Sequence, residues 1–265
     1  VGEGLSFGER IDWQAPWLQP FASLGKRLCA SPDWRVALNR HAEDACLQTE
    51  TGHPIAFVPQ ECLPFGTAYE AYIAHSGKVP TRENLHDFFN ALVWLHLPRT
   101  KARLNALQAW YIHHRQAEKG ARGTLRDAAT IFDENAALLV TSDASLVDDL
   151  RRHAWTDAFL KRRSTFGTEW SVLLFGHALM EKLVTPFKAI TAHAWPILVE
   201  DSFFGEESAS QIARIDRAAA SMLNESLTTR HFLPLPVAGL PGWWPAQDAS
   251  FYEDDLVFRP QRIKP

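Results

Sequence analysis

The chain has 265 residues, of which 46% are apolar and 22% charged, and 31 acids against 27 Lys and Arg leave a net charge of -4. This is globular usage rather than that of a disordered or collagen-like polymer, and so small a charge predicts no general attraction to nucleic acid or anionic lipid. No apolar run reaches the roughly 20 residues that a membrane-crossing helix needs.

The start, VGEGLSFGERIDWQ, lacks a basic and then apolar leader, and three cysteines, Cys29, Cys46 and Cys62, leave an odd thiol. Both features suit a reducing, cytoplasmic setting. Residues 1–30 read as an irregular Trp/Pro strap with a short helix. Ser31 and Pro32 look like the cap and first position of the next helix. A short strand over Ile55 to Val58 follows, then a helix through YEAYIAHS that stops at Gly77.

Pro80 and Thr81 precede a helix from about Arg82 that Pro98 must end or kink, since proline has no amide donor. A second helix runs from Arg99 to Gly120. ATIFDENAALLVTSD reads as a β-hairpin about a turn of Asp133, Glu134 and Asn135. Ser142 or Asp143 caps another helix. EWSVLLFGHALMEKLV is either one helix or a strand leading into a helix, and periodicity does not separate the two. ITAHAWPILVE is a strand and SASQIARIDRAAASMLNESL an amphipathic helix.

From Pro234 the chain holds six of its 16 prolines. It reads as an extended segment wrapping the surface, too aromatic for a free tail. With no repeat, low-complexity block or Gly/Ser linker, the expectation is one α+β domain over 1–265, mainly helical, with a hairpin or small sheet and a C-terminal strap over 234–265.

The segment NLHDFFNALVWLHLP carries the most chemistry. At 100° per residue, Asn90, Trp94 and Asp87 lie about 40°, 80° and 100° from His86, so these four share one side. Leu85, Phe88, Phe89, Leu92 and Leu95 take the other, and His96 falls inside that apolar stripe. His96 is therefore a core histidine with one ring nitrogen on a backbone carbonyl. His86, Asp87 and Asn90 are the catalytic candidates, and Trp94 marks their side as covered or lining a cleft.

Glu70, His86, Asp133, His177 and Glu181, with Asp87 and Glu134 beside them, offer the mixed imidazole and carboxylate donors that hold a divalent metal ion. His177 and Glu181 face the same way if GHALMEKL is helical. Arg122 and Arg126 are candidate contacts for an anionic small molecule, and Trp243 and Trp244 in PGWWP a candidate stacking platform. Against this stands the plainer alternative that each polar group is a solvated or hydrogen-bonded part of the scaffold. No GxSxG, Walker, GxGxxG or HExxH pattern is present.

VPTRENLHDFFNALVWLHLPRTKARLNALQA, RDAATIFDEN, FGHALMEKL and PGWWPAQDASFYEDDLVFRP, in that order, resemble the signature segments of the bacterial family called domain of unknown function 3025. The likeness runs from about residue 55 to 260. It implies no reaction, cofactor or fold. The residues themselves point to a hydrolase using a metal or a His/carboxylate pair, with a non-catalytic binding or scaffold protein as the alternative.

Overall fold

A computed structural model describes residues 8–115 and 123–261. The N-terminal strap is more ordered than its composition suggests. Short 3-10 turns lead into α1 (Gln19–Cys29), which buries Phe21, Ala22 and Leu28. The cap of α2 (Trp34–Asp44) is Asp33, whose carboxylate accepts from Val36 N, rather than Ser31. β1 (Ala56–Val58) pairs in parallel with β2 (Lys78–Pro80), and α3 (Tyr69–Ser76) ends between them on Gly77 at φ 71°.

α4 (Leu85–His96) starts three residues later than expected because Asn84 caps it, accepting from Asp87 N. Pro98 breaks the helical run as proline should, and stands first in α5 (Pro98–Arg115). The orphan amides at Arg99 and Thr100 are taken by the buried Asp216 carboxylate, at 3.0 and 2.8 Å. The expected helix end at Gly120 lies outside the described residues.

The hairpin about Asp133, Glu134 and Asn135 does not form. α6 (Thr124–Asn135) runs straight into β3 (Ala136–Thr141). Leu125, Ala128, Ala129 and Phe132 recur at three- and four-residue spacing and all are buried, so the helical stripe outweighs the turn chemistry of the acids. The open choice over 170–184 resolves as strand then helix: β4 (Trp170–Leu174) and α8 (His177–Lys182). Asp143 caps α7 (Ala144–Arg151).

The main sheet has strand order β4-β3-β5-β6, with β5 (Thr191–Leu198) parallel to β3 and both edge strands antiparallel to their neighbours. β3 is buried along its whole length, as expected of a central apolar strand covered on both faces. α9 (Ser208–Met222) packs on α5. The C-terminal segment opens as β6 (Leu233–Pro236), a member of the sheet, and its Trp243, Tyr252 and Phe258 enter the same core cluster that begins with Ile11. The architecture is mainly helical with small sheets. No helix among the described residues is long and apolar enough to cross a membrane.

One close approach sets up the site. Phe175 N and Gly176 N both donate to Ala136 O, at 3.1 and 2.8 Å, so the β4–α8 junction sits on the α6–β3 junction. A Cβ on Gly176 would fall 2.5 Å from Asn135 N and 2.6 Å from Ala136 N. Only glycine fits there. Gly176→Ala is expected to cost on the order of 1–3 kcal/mol, because backbone must move to admit the methyl group. Chemical denaturation measures this, and an unchanged midpoint would refute the close packing.

Candidate functional site

Four helices converge on a cavity of about 290 Å³: α3, the first turns of α4, and α6 and α8 where they meet. α4 brings His86, Asp87 and Asn90, α6 brings Asp133 and Glu134, and α8 brings His177. Being first on its helix, His177 is placed directly by the Gly176 contact. Tyr69 and Glu70 of α3 complete the wall.

His177 Nε2 lies 3.0 Å from His86 Nε2 and 3.6 Å from Glu134 Oε2. One ligand atom from each of these residues falls within 4.8 Å of the others, the one such group among the described residues. The far nitrogen of His86, Nδ1, is 3.0 Å from Glu181 Oε2. Glu181 is thus behind the cluster rather than in it. With the carboxylate accepting from Nδ1–H, Nε2 carries its lone pair toward the cavity. Burial pushes the His177 imidazole down to about 4, with the Lys101 and His86 charges acting in the same direction and Asp133 opposing them. At neutral pH it is an uncharged donor. Its Nδ1 is buried without a hydrogen-bond partner, 3.8 Å from Asp133 Oδ1.

Asp133 and Glu70, both expected as metal ligands, are engaged elsewhere. Asp133 Oδ1 is 2.6 Å from Lys101 Nζ, with the two side chains only 11% and 5% exposed. Burial acts to raise this carboxyl, but the Lys101 ammonium overrides it and holds Asp133 below the usual range. Lys101 itself is seated 5.6 Å from the Trp94 ring and 5.9 Å from the Phe175 ring. Trp94 is buried and does not line the cavity; it is the floor under Lys101, not a substrate contact.

Glu70 Oε2 accepts from Asn105 Nδ2 at 2.6 Å. Burial, then the Asp133 charge, push its carboxyl up to about 7 against the pull of Lys101 and Asn105. Burial and Asp133 also raise Glu134.

Asp87 is not free to act as a base. It accepts from Arg82 N at 2.6 Å, from Arg82 Nε at 3.0 Å and from Arg82 Nη2 at 3.0 Å, clasping the entry to α4. Asn90 donates to Tyr69 Oη at 3.2 Å, and its Oδ1 is buried with no partner. Trp243 is buried with its ring 5.8 Å from that of Trp17, Trp244 is half-buried, and neither lines the cavity. Arg126 is exposed on α6, outside this cavity, and Arg122 lies outside the described residues. His96 behaves as a core histidine, with Nδ1 2.9 Å from Leu92 O.

The family model described as protein of unknown function DUF3025 matches residues 55–262, most of the chain. The chain belongs to the DUF3025 family. The match takes in every side chain of the cavity, from Gln60 to His177. No curated protein and no solved structure matches the chain. The chemistry of this DUF3025 protein therefore has to be read from its own groups. Of these, Lys101, Tyr69 and Asn105 went unmarked in the sequence. A lysine inside RTKARLNALQAW looks like any solvated helix residue until Asp133 is found against it.

Two outcomes follow. Lys101→Met leaves a buried unpaired carboxylate and is expected to cost about 3–5 kcal/mol, whereas Lys101→Met with Asp133→Leu recovers most of that; denaturation of both variants checks it. Glu70 holds its proton to about pH 7 when folded but only to about 4.5 when unfolded. The stabilisation from that proton is complete below pH 4.5 and is lost as pH rises through 7. Glu70→Gln is spared the loss, so its stability relative to the parent should climb between pH 4.5 and 7 by on the order of 3 kcal/mol and then level off. A flat difference across that range would overturn the assignment.

Proposed function

We propose that the protein is a hydrolase in which His86, His177 and Glu134 hold a divalent metal ion. The three-atom group within 4.8 Å is the observation that carries the reading. Two imidazole nitrogens and a carboxylate oxygen are the donor set that zinc and manganese take, and these three would hold such an ion. Such a set of three leaves a position open to water, and the bound metal would supply a hydroxide at neutral pH.

The chain's own groups have distinct parts. Glu181 fixes the His86 tautomer from behind, in the carboxylate–histidine–metal pattern. The Lys101–Asp133 pair puts a balanced charge beneath His177 rather than a repelling cation. Glu70 opens into the cavity with its carboxyl near 7, a suitable value for taking a proton from water and giving it to a leaving group. In hydrolysis the water oxygen bonds to the substrate carbonyl carbon as the bond to the leaving group breaks. The Asn90 Oδ1 acceptor suits a substrate N–H.

A second reading has its own support: 3.0 Å between the two Nε2 atoms is also a good N–H···N hydrogen bond, and with Glu181 it makes a closed structural network. Zinc and manganese titration of chelator-treated protein separates the two. The metal reading expects binding with a rise in melting temperature, lost in His177→Ala and weakened about 10- to 100-fold in Glu181→Gln. No binding, with His86→Ala merely destabilising, would leave the structural network.

A further inference from the structure

A second cavity, of about 280 Å³, lies between α3, α5 and α6. Tyr69, Glu70, Asp133 and Glu134 line both cavities, so the two are separated by, or meet at, a single wall of side chains. The lining away from that wall is largely apolar, with Leu107, Tyr111, Ile112, Leu125 and Ala129. Tyr111 is held in place by its hydroxyl, which accepts from Gly123 N at 2.9 Å.

Among the described residues, one cation faces this apolar space. Arg126 lines it, is exposed, and has no hydrogen-bond or ion partner among the described residues. α6 supplies a ruler: Arg126, Ala129, Thr130, Asp133 and Glu134 all line the cavity at helical spacing. Eight residues at the helical rise separate Arg126 from Glu134 by about 12 Å. A ligand spanning them meets a guanidinium at one end, apolar walls between, and the candidate metal group at the other.

Resting on the hydrolase reading, we propose that this second cavity binds the non-reacting arm of the substrate, an elongated apolar group ending in a carboxylate that pairs with Arg126. The volume is about twice that of a cavity that takes one benzene, enough for a phenyl ring with a short chain. The substrate class is thus an amide or ester with an aryl-alkyl or similar apolar arm and a distal acid. Binding energy from that remote arm would position the carbonyl at the first cavity.

The test is calorimetric and uses the whole chain after metal removal, so that no carboxylate can bind through a metal. The probes are 4-phenylbutyrate and 4-phenylbutanol. The acid should bind about three- to fivefold more tightly than the alcohol, the gain expected of an accessible Arg–carboxylate pair. Arg126→Ala should erase that difference while leaving the alcohol unchanged. Thr130→Trp, an exposed position lining the cavity, should weaken both probes at least about tenfold. Equal binding of the two probes, no binding, or indifference to Thr130→Trp would overturn the proposal. Metal titration of the same protein is independent: its failure alongside the expected probe binding removes the hydrolase reading and keeps the acid pocket.

Discussion

The seating of Gly176 on the α6–β3 junction is the constraint on which the cavity depends. Two amides from the end of β4 share the Ala136 carbonyl, and there is no room for a side chain between the backbones. Because α8 begins one residue later, His177 has no freedom to drift from the last turn of α6. The strand pairing of β3 with β4 makes this junction rigid, and the pairing of β3 with β5 anchors it in the middle of the sheet. The imidazole is thereby held beside Asp133 and Glu134 by the same hydrogen bonds that build the fold.

Charge then decides what each group can be. A buried carboxylate needs a partner, and Asp133 has one in Lys101, which leaves it unsuited to the ligand role its position suggested. Glu70 is buried beside the Asp133 carboxylate, and the Lys101 charge and the Asn105 amide do not offset this, so its proton is retained to about neutral pH. Glu134 and His86 keep atoms on the cavity side. The five acids at or behind this cavity are thus sorted: Asp133 is paired with Lys101, Asp87 is clasped by Arg82, Glu70 keeps its proton to about neutral pH, Glu134 is a half-exposed donor, and Glu181 stands outside on His86. Burial and the neighbouring charges, with the Lys101 ammonium foremost at Asp133, shape that division.

The two cavities share this polar wall but differ in character on their far sides. One is ringed by the polar edge of α4 and the Arg82–Asp87 clasp. The other is walled by the apolar faces of α5 and α6 and ends at a guanidinium that has no partner among the described residues. An arrangement with donors for a reacting group on one side and a shaped apolar recess on the other is what a site for small organic molecules requires. It also explains why Asp133 and Glu134 stand on a helix: the same helix that offers the acids lines the recess two turns earlier.

The amino-acid sequence by itself determined what is local: the end of α3 at Gly77, the break at Pro98, the apolar stripe of α4 with His96 inside it, and the family. Capping and side-chain periodicity depend on neighbours within a few residues, so they can be read directly. It also named His86, Glu134, His177 and Glu181 without being able to say which would meet. It misjudged the Asp133-Glu134-Asn135 run, where the burial of Leu125, Ala128, Ala129 and Phe132 outweighed turn-forming residues, and it set Trp94 facing a ligand when it is buried under Lys101, while Asp87 does line the cavity with its carboxylate held by Arg82. His86 and His177 are separated by 91 positions, and Lys101 and Asp133 by 32. Only packing brings such pairs together, because ion pairing and desolvation depend on distances through space that no spacing along the chain encodes.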